Sequence, residues 1–253
     1  MWLRLRTFRF KTGGKLGIIC AMTLSRFIFY CVLLLAVAYG ALTLRPDVLF
    51  DHEYTAGNVS MHSHEPLNEG CHYLIGRVQE KIAADDFYDP GQKLDIYLAG
   101  DDSRYALLAP FCKKAFSCLH PVTGKIFIAA ADLEKNLVYS PGGAEDPRGL
   151  ESVITHELVK AQIKNKLGAL AYLLLDRMKK DGYAEHITRE TAETLPAEIC
   201  SKNERRATLT RYLTDRLTLE LVQFETDLTY SALLRNDKGD ASTADRLKQK
   251  YCN

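Results

Sequence analysis

The chain lacks a glycine-rich loop of the kind that cradles phosphate and lacks a G-x-S-x-G turn that would present a nucleophilic serine. Nucleotide-dependent transfer and serine hydrolysis by those devices are therefore excluded. Clustered cations are missing too, outside the first 26 residues. Lys113-Lys114, Lys179-Lys180 and Arg205-Arg206 are isolated pairs that read as solvated helix and loop faces. Residues 1–26 hold six cations and no acid, against a formal charge of +1 for the 253-residue chain, which leaves −5 on the remainder. A mildly acidic body without a cation cluster is a poor match to a phosphate backbone, so no nucleic acid partner is expected. The body also has no interior linker or repeat, and residues 45–253 are long enough for one well-filled domain.

What the start of the chain has is apolar length. Phe27 to Leu44 is an eighteen-residue stretch without a charge, rich in Leu, Val, Ala, Phe and Tyr. At about 1.5 Å per residue it spans about 27 Å of hydrocarbon, so a transmembrane helix is predicted over 27–44. Arg4, Arg6, Arg9, Lys11, Lys15 and Arg26 precede it, and no acid comes before Asp47. The positive-inside rule then keeps residues 1–26 cytoplasmic and sends residues 45–253 across. Ala36-Val37-Ala38 fits a signal-peptide cleavage pattern, but the apolar run continues past it, so an uncleaved anchor is the expectation. The lipid bilayer is the first expected partner, through one helix.

Within the body, Tyr54 to His64 alternates weakly, as an edge strand would, and Leu67 to Ala84 has the spacing of an amphipathic helix ending near Asp85-Asp86. Leu94 to Leu98 and Lys125 to Ala129 are the better strand candidates, separated by a short helix over Asp102 to Leu108 and a cysteine-bearing loop. Pro141 to Pro147 reads as a loop, and from Leu150 onward the pattern is helical, with long apolar stripes between Leu195 and Phe224. A weakly structured tail with a short terminal helix is expected over 236–253. A small sheet followed by packed helices is an α+β fold.

One segment carries chemistry. Leu150, Val153, Ile154, Leu158 and Ala161 give a buried helix in which Thr155-His156-Glu157-Leu158-Val159-Lys160 is nearly an H-E-x-x-H motif. In that motif two histidines four residues apart lie about 40° apart round the helix, so both reach one metal while the glutamate polarises its water. Here Lys160 stands at the second histidine. A further apolar run, Leu167 to Leu175, leads into Asp181-Gly182-Tyr183-Ala184-Glu185-His186.

This order resembles the gluzincin clan of metallopeptidases, in which a second helix bearing a Glu-Gly-Phe/Tyr-Ala pattern delivers the third ligand about twenty residues on. More closely, residues 66–187 resemble the small, membrane-tethered, peptidase-MA-like proteins of bacteria. The resemblance assigns His156 as first metal ligand, Glu157 as catalytic general base, Lys160 to the second-ligand position and Asp181 to the third. It implies a zincin-like motif helix, a zinc cofactor and a peptide substrate, in a bacterial inner-membrane protein whose main domain is periplasmic or extracellular.

The altered residues change that expectation. A lysine ligand must be neutral, and deprotonating it at pH 7 costs about 4.6 kcal/mol before any metal bond forms. As an ammonium, Lys160 would instead salt-bridge Glu157 and Asp181 and replace the charge of the metal. Glu185, one turn beyond Asp181, and the adjacent His186 are substitute ligands, though a set of His156, Asp181 and Glu185 is poor in nitrogen for zinc. The expectation is a non-catalytic domain without a cofactor, binding a peptide or protein partner in its cleft. The alternative is an active zinc peptidase using His156, Glu157 and Asp181.

Minor features carry less. His62 and His64, with His52, have strand spacing for a metal but no Cys or carboxylate placed to close the set, so they read as structural. Asn58-Val59-Ser60 is a glycosylation sequon. Of seven cysteines, Cys20 and Cys31 lie in or beside the membrane segment, and Cys71, Cys112, Cys118, Cys200 and Cys252 lie in the exported body, where disulfides are allowed. Cys112 and Cys118 are the expected pair. Five is odd, which leaves at least one thiol free or bonded to another molecule.

Overall fold

The computed structural model describes residues 16–235 and 241–252, with side chains from residue 26 onward apart from Ala241. Arg4, Arg6, Arg9, Lys11 and Lys15, on which the orientation expectation rests, lie outside the described residues. The chain divides into two units, residues 1–45 and 46–253.

The first unit holds one helix, α1 (Leu16–Leu44). It begins eleven residues before the expected Phe27, because residues 16–25 carry no charge and are helix-compatible, and Arg26 lies within the helix. Its segment Arg26–Leu44 has a mean hydropathy of 2.3 over 19 residues and is almost entirely exposed, so it is long and apolar enough to cross a membrane.

The second unit begins with a hairpin, β1 (His52–Ala56) and β2 (Val59–Ser63), where one edge strand was expected. Gly57 and Asn58 make the two-residue turn, and Gly57 takes φ 58°, which a glycine adopts without cost. The Asn58 amide donates to the carbonyls of Gln92 (2.9 Å) and Asp89 (3.3 Å), so the sequon nitrogen is occupied within the fold. Helix α2 (Glu69–Ile82) matches its expected span within two residues at each end. After it come β3 (Leu94–Leu98), α3 (Asp102–Leu108), β4 (Ser117–Leu119) and β5 (Ile126–Ile128).

The five strands form one sheet in the order β1-β2-β3-β5-β4. The inner pairs β2-β3 and β3-β5 are parallel, while both edge strands run antiparallel to their neighbours. A second, three-stranded sheet joins β6 (Ala131–Asp132), β7 (Leu137–Val138) and β8 (Arg148–Gly149). Its two-residue strands are too short to leave a period in the sequence.

Then come the helices: α4 (Leu150–Leu167), α5 (Ala169–Leu174), α6 (Arg177–Thr188), α7 (Ala207–Thr226), α8 (Tyr230–Arg235) and α9 (Ala241–Tyr251). The helical run expected from Leu150 onward is broken over 189–206. Arg189 closes α6 in the left-handed conformation (φ 59°), and Pro196 keeps Leu195 extended, so only two 3-10 turns form there. The terminal helix, at eleven residues, is longer than expected. Met61, Ile75, Val78, Ile82, Ile96, Phe127 and Ile154 are all 0% exposed and join the sheet, α2 and α4 in one core. The architecture is α+β, with a small mixed sheet and packed helices.

Two cysteine pairs stand at disulfide distance, Cys112–Cys118 as expected and Cys200–Cys252 in addition. Cys71 is the unpaired thiol of the second unit and is buried against Met61.

Candidate functional site

Helix α4 places Val153, Ile154, Leu158 and Ala161 in the core and turns His156, Glu157 and Lys160 toward α6 and β4. Helix α6 can lie close because of Gly182. A Cβ there would meet the Asp215 carbonyl oxygen at 2.5 Å and its carbonyl carbon at 2.8 Å, so only glycine admits the backbone of α7. Tyr183 fixes α6 on its other flank, donating to Asp85 Oδ1 (2.7 Å), accepting from the Asp86 amide (3.0 Å) and packing edge-on to Phe87. Ala184 is fully buried. Each letter of Asp-Gly-Tyr-Ala thus has a packing cause, and together they set Asp181 beside α4.

Five of the six residues singled out in the sequence converge. Lys160 Nζ donates to Glu157 Oε1 at 3.1 Å and lies 3.6 Å from Asp181 Oδ1. His156 Nε2 lies 3.6 Å from the same Asp181 oxygen, and its Nδ1 lies 4.0 Å from Glu185 Oε2. Glu185 is fully buried and accepts from the Thr191 amide. It therefore stands at the Nδ1 side of the imidazole, across the ring from Asp181. His186 does not join them: its Nδ1 pairs with Glu220 Oε1 (2.9 Å) and meets the Tyr230 hydroxyl (3.3 Å).

Residues with no motif complete the site. Ser117 of β4 donates to Glu157 Oε1 at 3.0 Å. Tyr212 of α7 stacks on His156 with centroids 4.3 Å apart, and the guanidiniums of Arg148 and Arg211 each lie 4.9 Å from its ring. Arg148 is buried, ion-paired to Glu190 and set over Phe116. Arg211 Nη2 approaches Asp181 Oδ2 at 3.9 Å. Arg148 lies two residues before α4 and Ser117 lies between the expected strands, but neither carries a spacing that would have marked it.

Electrostatics divide the groups. Burial works against the Lys160 ammonium, yet the Glu157 and Asp181 carboxylates outweigh it and hold the amine well above its ordinary range. Asp181 shows the reciprocal effect: burial would raise it, but Lys160, then His156 and Arg211, hold it well below the usual carboxylate range. Glu185 is pushed up by burial, against the opposing pull of His156. Lys160 keeps 17% of its side chain exposed and lines the cavity beside the site.

The donor set does not fit zinc as it stands. Among the described residues His156 Nε2 is the one nitrogen beside the Asp181 and Glu157 oxygens around Lys160, and an ammonium has no lone pair to give. Among the described residues no group of three or more His, Cys, Asp or Glu is arranged to hold a metal. His62 stacks on Tyr97 and His64 packs against Phe50, which makes them part of an aromatic cluster.

The site opens into a cleft of about 430 Å³ walled by β4 on one side and by Lys160, Tyr172, Arg211 and Tyr212 on the other. Comparison with protein-family models, with curated proteins and with solved structures yields no match to this chain.

Proposed function

We propose that the chain is a membrane-anchored, exported protein whose body is a degenerate zincin-like domain that binds an extended peptide without cleaving it. The observation that carries the reading is the Lys160 ammonium, 3.1 Å from Glu157 and 3.6 Å from Asp181, where the resemblance to peptidase-MA-like proteins puts the second metal ligand. A fixed cation there compensates both acids that a hydrolytic metal centre would use. With Glu157 also engaged by Ser117, the residue assigned as general base has one oxygen committed to two donors. His156 and Asp181 keep their places by packing.

A peptide occupant is supported by β4. It is the edge of its sheet and borders the cleft, so an extended chain can add to it as a further strand, with side chains directed at Tyr172 and Tyr212. Export is supported by the apolar helix at Arg26–Leu44, by Arg26 and the five cations before it and by the two disulfides, which belong to an oxidising compartment. The orientation that follows is N-terminus cytoplasmic and residues 45–253 periplasmic or extracellular. One observation favours the alternative, an active zinc peptidase: both ring nitrogens of the buried His156 are without a hydrogen-bond partner among the described residues.

Elemental analysis of the full-length protein, purified in detergent and dialysed, tests the choice together with an assay on an unfolded protein substrate supplied with zinc. The expected result is substoichiometric zinc and no cleavage. One zinc per chain with proteolysis abolished by Glu157→Gln would replace this reading with the peptidase.

A further inference from the structure

Helix α7 borders a second cavity, of about 600 Å³, enclosed by the start of α6, the 3-10 turn Pro196–Cys200 with the loop after it, and α9. The Cys200–Cys252 disulfide ties the end of α9 to that turn, so a covalent bond holds two of its walls together. Asp215 lines this cavity and is 6% exposed, and its Oδ2 is buried with no hydrogen-bond partner among the described residues. Leaving a buried carboxylate oxygen unmatched is costly unless something donates to it. Arg177 and Lys248 line the same space and enter no ion pair among the described residues, while Met178 and Ile199 supply apolar wall. Arg211 lines both this cavity and the cleft.

We infer that this cavity is a ligand site for a free α-amino acid with an apolar side chain. Its ammonium donates to Asp215 Oδ2, its carboxylate meets Arg177 and Lys248, and its side chain lies against Met178 and Ile199. A buried acid calls for a cationic donor, while the unpaired cations call for an anion. An amino acid carries both on adjacent atoms. Asp176 and Glu204 line the cavity as well, beside Lys202 and Arg211, but among the described residues no three of its acids are placed to hold a metal ion. The assignment does not depend on how the cleft is read.

Calorimetric titration of the full-length protein in detergent at pH 8 with L-leucine tests it, beside N-acetyl-L-leucine, which lacks the ammonium, and L-leucinamide, which lacks the carboxylate. One saturable site for L-leucine is expected, weakened about tenfold or more by either blocking group and by Asp215→Asn, each of which removes a charged hydrogen bond. Lys248→Ala, on an exposed position of α9, should weaken leucine binding about threefold without touching the core, which gives the test a second, independent variant. The absence of saturable heat with L-leucine, equal affinity for the blocked compounds, or leucine binding unchanged in both variants would overturn the assignment.

Discussion

Asp181 and Asp215 are both buried, and both lie at the crossing of α6 and α7 around Gly182, yet their carboxyls are driven in opposite directions. Burial would raise each one. At Asp181, Lys160 at 3.6 Å, His156 at 3.6 Å and Arg211 at 3.9 Å overcome it, and the group is held well below its ordinary value. At Asp215 burial prevails over the more distant Arg177 and Arg211, and the carboxyl is pushed up to about 7. The difference teaches that depth alone does not set the charge state. A cation within salt-bridge distance makes the cleft a closed, self-compensated network, and the lack of one leaves the neighbouring cavity asking for a ligand.

The largest expected effect comes from opening the second region alone. Cys200 and Cys252 are 52 residues apart, and the chain-entropy argument gives their link about 4 kcal/mol. Replacing both by Ser should lower stability by about that amount in urea unfolding, and should increase amide exchange in α9 before any change at α4. Uniform loosening of both regions would mean that they are not separable.

Lys160→Ala comes next. It leaves Glu157 and Asp181 as buried like charges, and should cost about 3 kcal/mol. The natural contribution of Asp181 is fully present above the unfolded carboxylate value near 4 and is lost as pH falls below it. Acid unfolding of the variant should therefore lose that component of its pH dependence. A neutral Lys160→Ala would break the comparison at its source.

Asp215→Asn should do the reverse and stabilise the protein at pH 8, by about 2 kcal/mol. Because the folded carboxyl is raised to about 7, the fold favours its protonated form, so stability falls as pH rises from about 4 to about 7 and is then level. That fall should vanish in the variant when thermal unfolding is followed across this range. The smallest effect expected is local: peptides selected from a random display library on the full-length protein should slow amide exchange at residues 117–119 without changing global stability.

The sequence made some of this legible and some not. The apolar helix was visible because length without charge has few other uses, α2 because it buries one regular face, and β3 because it is a short apolar run buried on both faces. His156, Glu157 and Lys160 could be grouped on one helix, and Asp181 with Glu185 on another, because helical spacing converts number into angle, while bringing the two helices together rested on the resemblance to the gluzincin clan. Glu185 was placed with the ligands because spacing gives the face but not the side of the imidazole it meets. Ser117, Arg148 and Tyr212 were invisible, since they reach the site by tertiary packing from segments without a shared period. The hairpin at Gly57-Asn58 was in view as a turn signal, but the weak alternation on either side merged it into one strand. The Cys200–Cys252 pair joins a turn to a helix that local pattern could not relate.

Calorimetric zinc titration of the Lys160→His, Asp181→Glu double variant beside the natural chain tests most directly whether Lys160 stands in for a metal. Restoring the second imidazole and the longer carboxylate should give one saturable zinc site per chain, with no such site in the natural protein under the same conditions. Stoichiometric zinc binding by the natural chain, or none by a folded double variant, would contradict it.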